Sequence, residues 1–456
     1  MEEALRHLEA HREAYLDQLF AYLRIPSVSA QSDHDKDTRA AAAFLRDRMR
    51  EIGLEADLYE GDGLPTVHGR YAAGDDRPTL LVYGHYDVQP PEPLDLWETP
   101  PFEPTVVDGE IRARGCADDK GPSLALLLAA ECWIRATGSL PVNLKVAYEG
   151  EEESGGSVIE RYLEEHREAL HADALIVADT PGLAPGTPAL CYALRGLVAL
   201  EATVEGPSRD LHSGSYGGAV ANPAAALARM ITSLHAPDGR VAVDGFYEGI
   251  PPLDDAERAR LARLPFDEAA FLSDTGARDL RGEEGYTTWE RRTARPTCEI
   301  NGIFGGYAGE GTKTIVPARA GCKITCRLVP GQDPAAVQEA LARHLAAHCP
   351  PGVGLDIARG PVAPAAFMDP ETPWAQKARA ALERAFGAPP ALTREGGSIP
   401  VVNAFRTILG LEALLLGTYA PGEKAHSPNE RYPVEDFYAA IRTGIFLFAG
   451  ERPSRR

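Results

Sequence analysis

The chain has 456 residues, which are too many for a single hydrophobic core, so we expect two or three domains. A formal net charge of −21 argues against nucleic acid or an anionic membrane as a partner, because both require a basic surface. No apolar run approaches the ~20 residues that span a bilayer, and the acidic N-terminus differs from a secretory signal, so we expect a cytoplasmic protein.

The seven cysteines are odd in number, widely spread and without a Cys-x-x-Cys pair. This usage predicts buried free thiols in a reducing compartment, and neither a disulfide framework nor a thiolate zinc site.

The first part of the chain alternates predicted helices with apolar strands. Hydrophobic periodicity predicts helices at 1–24, 40–52, 122–136 and 157–169. Apolar runs predict strands at 56–59, 67–71, 79–83, 142–148 and 173–178. This alternation is typical of the α/β class, with a largely parallel sheet covered on both faces.

The pattern changes after about residue 194. Alternating strands are predicted at 197–204 and 321–329, a further strand near 354–358, and helices at 220–234 and 334–348. Strands with helices on one side indicate a smaller α+β domain inserted into the first. A helix at 373–386, a strand at 408–416 and a helix at 434–449 then resume the first domain. The predicted boundaries are 1–193 and 370–456 for the first domain and 194–369 for the inserted domain.

Four carboxylates crowd just past the strand that ends at Tyr148, namely Glu149 and Glu151–Glu153. Such a cluster repels itself unless a positive charge lies within it, although a solvated acidic loop is the simpler interpretation. In α/β chains, however, the carboxyl ends of strands are where sites usually lie.

A second motif, residues 84–90, follows the strand at 79–83. The strand delivers His85 and Asp87 to the same edge of the sheet. A metal-binding imidazole usually donates its second N–H to a carboxylate, and Asp87 is placed for that role. A lone core or surface histidine is the alternative.

Three further elements supply candidate ligands. Asp118 and Asp119 lie at the mouth of a predicted helix, where an N-cap requires only one of them. The carboxylate of Asp118 could bridge two cations. Asp179 ends another apolar strand, and His426 lies about 340 residues after His85.

Together these motifs resemble the M20 metallopeptidases, a family of two-metal aminoacylases, deacetylases and dipeptidases. The matching patterns are Gly-His-x-Asp-Val-x-Pro at 84–90, Asp-Asp-Lys-Gly at 118–121, Glu-Glu-x-Gly at 152–155, Asp179 and His-Ser-x-Asn-Glu at 426–430. Local likeness at 211–218, 313–317, 327–330 and 394–400 resembles the branch of non-specific dipeptidases related to carnosinase.

The resemblance implies a site for two divalent cations. One cation would be held by His85 and Asp179 and the other by Glu153 and His426, with Asp118 bridging both. Counting Glu152, four carboxylate charges would balance two dications, which makes the cluster costly without them. Histidine and carboxylate ligands suit Zn²⁺, Mn²⁺ or Co²⁺ better than Ca²⁺ or Mg²⁺. The ligand types do not distinguish among the first three ions, of which we favour Zn²⁺.

The resemblance also assigns Glu152 as the general base for a water activated by the cations, with Asp87 in the catalytic group. It implies a cis peptide between Asp118 and Asp119. One departure is Gly156, where the family commonly has serine, and this change removes no proposed ligand.

Further residues resemble substrate-binding groups, and one of them, His212, lies in the inserted domain. His212 resembles the histidine that stabilises the oxyanion, commonly from the other subunit of a dimer, which implies a homodimer through this domain. Thr314, Arg327 and Ser398 resemble groups that hold the free carboxylate of a peptide. The domain is expected to act as a lid as well as the dimerisation domain.

These features predict a dipeptidase that hydrolyses small peptides with two bound metal ions. An N-acyl-amino-acid deacylase or small carboxypeptidase of the same family is the alternative enzyme. A non-catalytic protein that kept the fold is a third interpretation, but such a protein is expected to lose a ligand or the base, and none is missing.

Overall fold

The computed structural model of the protein describes residues 1–397, 399–420, 422, 424–450 and 452–453. The chain divides into two compact units. The first unit comprises Met1–Tyr192, Met368–Thr393 and Val401–Arg456, and the second comprises Ala193–Phe367 and Arg394–Pro400. The sequence boundaries place 394–400 in the first domain, whereas these residues group with the second unit. The lid and dimerisation roles remain predictions.

The described residues form eighteen strands. They are β1 (Glu55–Tyr59), β2 (Thr66–Tyr71), β3 (Thr79–His85), β4 (Thr105–Val107), β5 (Glu110–Arg112), β6 (Asn143–Glu149), β7 (Ala174–Pro181), β8 (Ala189–Leu194), β9 (Gly196–Glu205), β10 (Leu211–His212), β11 (Thr297–Gly305), β12 (Ile315–Val316), β13 (Arg319–Leu328), β14 (Gly354–Ala363), β15 (Ala366–Phe367), β16 (Ala391–Glu395), β17 (Ala413–Tyr419) and β18 (Arg431–Pro433).

Fourteen α-helices are found in the same residues. They are α1 (Glu2–Ala10), α2 (Arg12–Leu23), α3 (Asp35–Glu51), α4 (Lys120–Thr137), α5 (Val158–Glu165), α6 (Ser213–Tyr216), α7 (Pro223–Thr232), α8 (Asp255–Leu261), α9 (Glu268–Thr275), α10 (Thr288–Thr293), α11 (Pro334–His348), α12 (Pro373–Phe386), α13 (Pro400–Ala404) and α14 (Val434–Phe448). None of these helices is long and apolar enough to cross a membrane.

The large sheet of the first unit has the strand order β1-β2-β6-β3-β7-β17-β8, and β16 also pairs with β8. Its centre is parallel, because β3 pairs in parallel with β6 and β7, and β17 pairs in parallel with β7. The flanking strands β2 and β8 run antiparallel to their neighbours. The predicted α/β class is therefore confirmed, with a mixed sheet whose parallel part is central.

The parallel centre places the ends of three strands at one edge of the sheet. In β3, the six residues from Leu80 to His85 are buried, so side chains are covered on both faces. The register pairs His85, at the end of β3, with Glu149, at the end of β6. Asp179 lies near the end of β7, next to β3 in the sheet. The predicted edge cluster thus has its geometric basis in these three strands.

The second unit contains an antiparallel sheet with the order β11-β13-β9-β14 and a two-stranded sheet of β10 and β12. Buried and partly buried residues alternate along β9, as expected for a sheet with one covered face. Cys298, Cys322 and Cys326 are part of the apolar core of this unit. All seven cysteines are free thiols, as predicted, and Cys349 is partly exposed while the others are buried.

Two predicted elements differ in the structure. The helix expected over residues 1–24 is interrupted at His11, whose φ of −124° and ψ of 18° separate α1 from α2. The strand predicted at 408–416 is wrong in its first half, because Phe405–Leu409 forms a π-helical turn. That turn ends at Gly410, with φ of 69°, and β17 begins only at Ala413. The apolar run is shared between a helical turn and a strand.

Candidate metal centre

His85 is the innermost of the predicted ligands. Its side chain is completely buried at the end of β3. Nε2 lies 3.0 Å from Oδ1 of Asp118. Nδ1 lies 3.1 Å from the backbone carbonyl oxygen of Asp87 and 3.4 Å from its Oδ1. An imidazole held at Nδ1 in this way presents Nε2 as the ligating atom.

The structure brings the five predicted ligands together in two overlapping groups. In each group the three ligand atoms lie within 4.8 Å of one another. The first group is His85, Asp118 and Asp179, and the second is Asp118, Glu153 and His426. Asp118 belongs to both, and its Oδ2 lies 3.2 Å from Nε2 of His426. Ligation itself remains a prediction, but this is the arrangement that a bridging carboxylate requires.

The acidic run turns sharply after β6. Gly155 has φ of 78°, and its N–H donates to the carbonyl of Glu151 over 2.8 Å, which closes the turn that carries Glu152 and Glu153. At Gly156 a Cβ atom would come within 2.5 Å of the Cβ of Glu151. The side chain of Glu151 thus occupies the space that a serine would need at 156.

The other two acids of the run, Glu149 and Glu151, accept hydrogen bonds from neighbouring groups. Oε1 of Glu149 is buried and accepts a hydrogen bond of 2.7 Å from the Tyr83 hydroxyl. Burial raises the pKa of Glu149 to about 8. Oε1 of Glu151 accepts the backbone N–H of Leu64 over 3.1 Å. The run therefore divides between Glu152–Glu153 and two acids with local hydrogen bonds.

Asp87 supports both groups of ligands. It is completely buried, and its Oδ2 accepts the Ser29 hydroxyl over 2.6 Å and the backbone N–H of Glu153 over 3.0 Å. The Gln89 amide donates to Oε2 of Glu153 over 2.7 Å. The motif indicates only the contact with His85. The contacts of Ser29 and Gln89 depend on the fold and leave no sequence signal.

The charges of the site are unbalanced without cations. Burial, followed by the neighbouring carboxylates, raises the pKa of Glu152 to about 7. Burial and Asp118 also raise the pKa of Asp179 well above its usual range. Burial would raise the pKa of Asp118 too, but hydrogen bonds from His426 and His85 outweigh it and lower that pKa.

The donor set fits two divalent ions. Hydrogen bonds with Asp118 and Glu153 raise the pKa of His426 to about 10, so protons on imidazoles partly compensate the carboxylates. Divalent cations would take the place of those protons. Imidazole nitrogen with carboxylate oxygen is a donor set for zinc and neighbouring transition metals.

The peptide bond between Asp118 and Asp119 is cis, as the resemblance implies. Asp119 is completely buried, and its Oδ2 accepts the backbone N–H of His85 over 3.2 Å. The adjacent acids thus have different contacts, because Asp118 faces the two histidines and Asp119 holds the end of β3.

Three of the predicted substrate-binding residues, His212, Thr314 and Arg327, lie in the second unit. His212 is exposed, and its Nδ1 accepts the N–H of Gly214 over 3.0 Å. β10 pairs with β12, so the Ser213 N–H donates to the carbonyl of Thr314 over 3.0 Å and brings Thr314 beside His212. Arg327 lies on β13, in the other sheet of this unit. Ser398 lies outside the described residues.

Arg195, also in the second unit, is absent from the predicted set. Its Nε donates to the carbonyl of Gly396 over 2.9 Å, and its buried Nη1 has no hydrogen-bond partner among the described residues. Burial, then Arg327 and Arg292, lower its pKa to about 10. The carboxylates of Glu299 and Glu395 oppose this shift, so Arg195 lies among charges of both signs beside Gly396.

The chain is similar in sequence and in structure to known peptidases. The sequence model described as peptidase family M20/M25/M40 matches residues 81–446. The Cys-Gly metallodipeptidase DUG1 of Saccharomyces cerevisiae is 28% identical, over 96% of this chain and 95% of its own length. Human carnosine dipeptidase 1 superposes with a TM-score of 0.82 and 25% identity, over 98% of each chain. The M20 family metallo-carboxypeptidase Sso-CP2 from Sulfolobus solfataricus superposes with a TM-score of 0.84 and 32% identity, over 95% of this chain and 98% of its own.

Proposed function

Since this chain belongs to the peptidase family M20/M25/M40, we propose that it is a metal-dependent peptidase that hydrolyses dipeptides. The observation that carries the proposal is the pair of three-residue ligand groups that share Asp118. Relatives matched over nearly the whole chain support the substrate class, because a yeast relative is a Cys-Gly metallodipeptidase and a human one is a carnosine dipeptidase.

The cations would be held by the five residues of the two groups. His85 and Asp179 would bind one ion, Glu153 and His426 the other, and Asp118 both. Zn²⁺ is the ion we favour, with Mn²⁺ and Co²⁺ also suited to these donors. When bound, such ions polarise a scissile carbonyl and lower the pKa of a water.

Glu152 would act as the general base. It follows the strand end next to Glu153 and is absent from both ligand groups, so its carboxylate is available for proton transfer. It would accept the proton of the attacking water and return it to the leaving amine. Asp87 would keep His85 and Glu153 in place through the contacts described above.

The second unit would recognise the substrate. Because Nδ1 of His212 accepts a hydrogen bond, the neutral ring carries its proton on Nε2, a donor for a developing oxyanion. Arg327, Thr314 and Ser398 would hold the free carboxylate of the peptide, and the charge of Arg195 supports an anion there.

We further propose a homodimer through the second unit, with His212 acting on the substrate of the partner subunit. The edge strand β11 exposes apolar side chains, with Ile303 68% and Phe304 39% exposed, which supports an interface. The mass of the active enzyme in solution, measured by light scattering, is expected to be that of two chains. A monomer with full activity would contradict the role of His212 in the partner.

A second candidate is a small carboxypeptidase, favoured by the likeness to the Sulfolobus solfataricus enzyme, or an N-acyl-amino-acid deacylase. Metal analysis of the purified protein, coupled to assays on dipeptides, longer peptides and N-acetylated amino acids, distinguishes these activities. Preference for dipeptides is expected. Preference for N-acetylated amino acids or longer peptides would support the alternatives.

The pH dependence of kcat/KM tests the base. Glu152 must be ionised to accept a proton, and its pKa is raised to about 7, so activity is lost as the pH falls through this range. Bound cations favour the carboxylate, which places the acid limb at or below about pH 7. We expect this limb in a profile from pH 5 to 9 and its absence in the residual activity of Glu152→Gln. The same limb in that variant would assign the titration to another group.

Asp87→Asn tests the support of the ligands. The change keeps the shape but removes the charge that faces His85, and metal affinity is expected to fall about 10–100-fold. Asp173→Asn is a matched control, because Asp173 accepts the Thr79 N–H at the opposite end of β3. Competition with a chelator measures both affinities, and equal values for the two variants would count against the role of Asp87.

A further inference from the structure

Glu430 ends the motif that carries His426, yet no role has been assigned to it so far. Its side chain is completely buried. Oε2 accepts Nη1 of Arg114 and the backbone N–H of Gly115, both over 2.8 Å. Oε1 accepts the backbone N–H groups of Ala117 over 2.9 Å and Asp118 over 3.1 Å. One carboxylate therefore receives four hydrogen bonds from the segment that leads to the bridging aspartate.

The backbone around Glu430 joins the same two segments. β18 pairs antiparallel with β5, with Arg431 opposite Arg112. The Ala113 N–H donates to the carbonyl of Glu430 over 3.3 Å. Residues 110–113 and 430–433 are thus joined through their backbones, in addition to the contacts of the Glu430 side chain, although they are far apart in sequence.

Arg114 extends the connection to a third segment. It is almost completely buried, and besides Glu430 it donates through Nη2 to the carbonyl of Pro90 over 3.3 Å. Pro90 ends the motif at 84–90, which contains His85. The pair Arg114 and Glu430 therefore touches the chain segments that supply His85, Asp118 and His426.

A buried ion pair with Arg114 does not account for all four hydrogen bonds of Glu430. Arg114 occupies only one oxygen of the carboxylate, and buried ion pairs commonly contribute little net stability. Three of the four hydrogen bonds instead come from backbone N–H groups, and one of these belongs to Asp118 itself. These contacts fix the backbone from which the bridging carboxylate projects.

We propose that Glu430 is a positioning residue that orients Asp118 and sets the spacing between the Asp118 and His426 segments, so that one carboxylate serves both ligand groups. The inference rests on the proposed metal-dependent function. It concerns how the site is held together, and assigns Glu430 no contact with metal or substrate.

The test is the affinity of the purified full chain for Zn²⁺, measured by competition with a chromophoric chelator. Glu430→Gln replaces one acceptor oxygen by a donor that faces backbone N–H groups, and Zn²⁺ affinity is expected to fall about 10–100-fold. The matched control is Glu283→Gln in the second unit. Glu283 is a buried acid that accepts Nε and Nη2 of Arg295 over 2.7 and 2.8 Å. It should lower the thermal midpoint without changing Zn²⁺ affinity.

Glu430→Asp keeps the negative charge opposite Arg114 but shortens the side chain by one methylene. If Glu430→Gln does not fold, the Zn²⁺ affinity is measured on this variant instead. Reduced Zn²⁺ affinity in the aspartate variant supports positioning. If folded Glu430→Gln or Glu430→Asp binds Zn²⁺ with wild-type affinity and only its thermal midpoint is lowered, as in Glu283→Gln, Glu430 has a structural role alone. This result would overturn the inference. Absence of Zn²⁺ binding to the wild-type chain would instead overturn the proposed function.

Discussion

Glu152→Gln is expected to lower kcat for dipeptide hydrolysis by about 10²–10⁴-fold, the usual contribution of a general base. The amide cannot accept the proton of the attacking water, while its size and position are nearly unchanged. Because Glu152 belongs to neither ligand group, the metal content should stay close to that of the wild type. Steady-state kinetics and elemental analysis of the same preparation measure both quantities.

The control for this variant is Glu151→Gln. Glu151 is the preceding residue and accepts the Leu64 N–H, a contact that an amide oxygen can also make. Near-normal kcat is expected in the control. Full activity of Glu152→Gln would remove Glu152 from the mechanism, and loss of metal from it would make Glu152 a ligand.

Asp118→Asn is expected to lower both metal content and activity. Its two carboxylate oxygens face different histidines, at 3.0 Å from Nε2 of His85 and 3.2 Å from Nε2 of His426. An asparagine offers one oxygen and no charge, so it cannot serve both positions. We expect at most one tightly bound ion per chain and a loss of at least about 10²-fold in kcat/KM.

Metal stoichiometry after extensive dialysis measures this effect. Asp108→Asn is the control, because Asp108 is an exposed residue of the turn between β4 and β5 and its φ of 53° is also accessible to asparagine. Retention of two tightly bound ions in Asp118→Asn would contradict the bridging role.

The central strands and the edge cluster could be predicted from the sequence because their signals are local. An uninterrupted apolar run specifies β3, and a polar motif directly after it places His85 at the strand end. Five such motifs in order are enough to identify the family. The direction of the flanking strands leaves no comparable signal, and β2 and β8 pair antiparallel with β6 and β17.

Sequence patterns did not predict the contacts between segments that are far apart in the chain. Glu430 is visible as a motif residue, but its four hydrogen bonds to residues 114–118 require knowledge of the fold. Arg195 is likewise an isolated arginine in the sequence, and its position beside Gly396 depends on tertiary structure. The break at His11 is hidden because buried apolar residues recur at helical spacing on both sides of it.

The distribution of ligands along the chain has a consequence for synthesis. The group of His85, Asp118 and Asp179 is complete early, whereas the group that includes His426 awaits about 250 further residues. At translation rates of 5–20 residues per second this interval lasts roughly 10–50 s. During it the nascent chain also lacks Glu430. A chain that ends before this point contains one ligand group and lacks the carboxylate that holds the Asp118 segment.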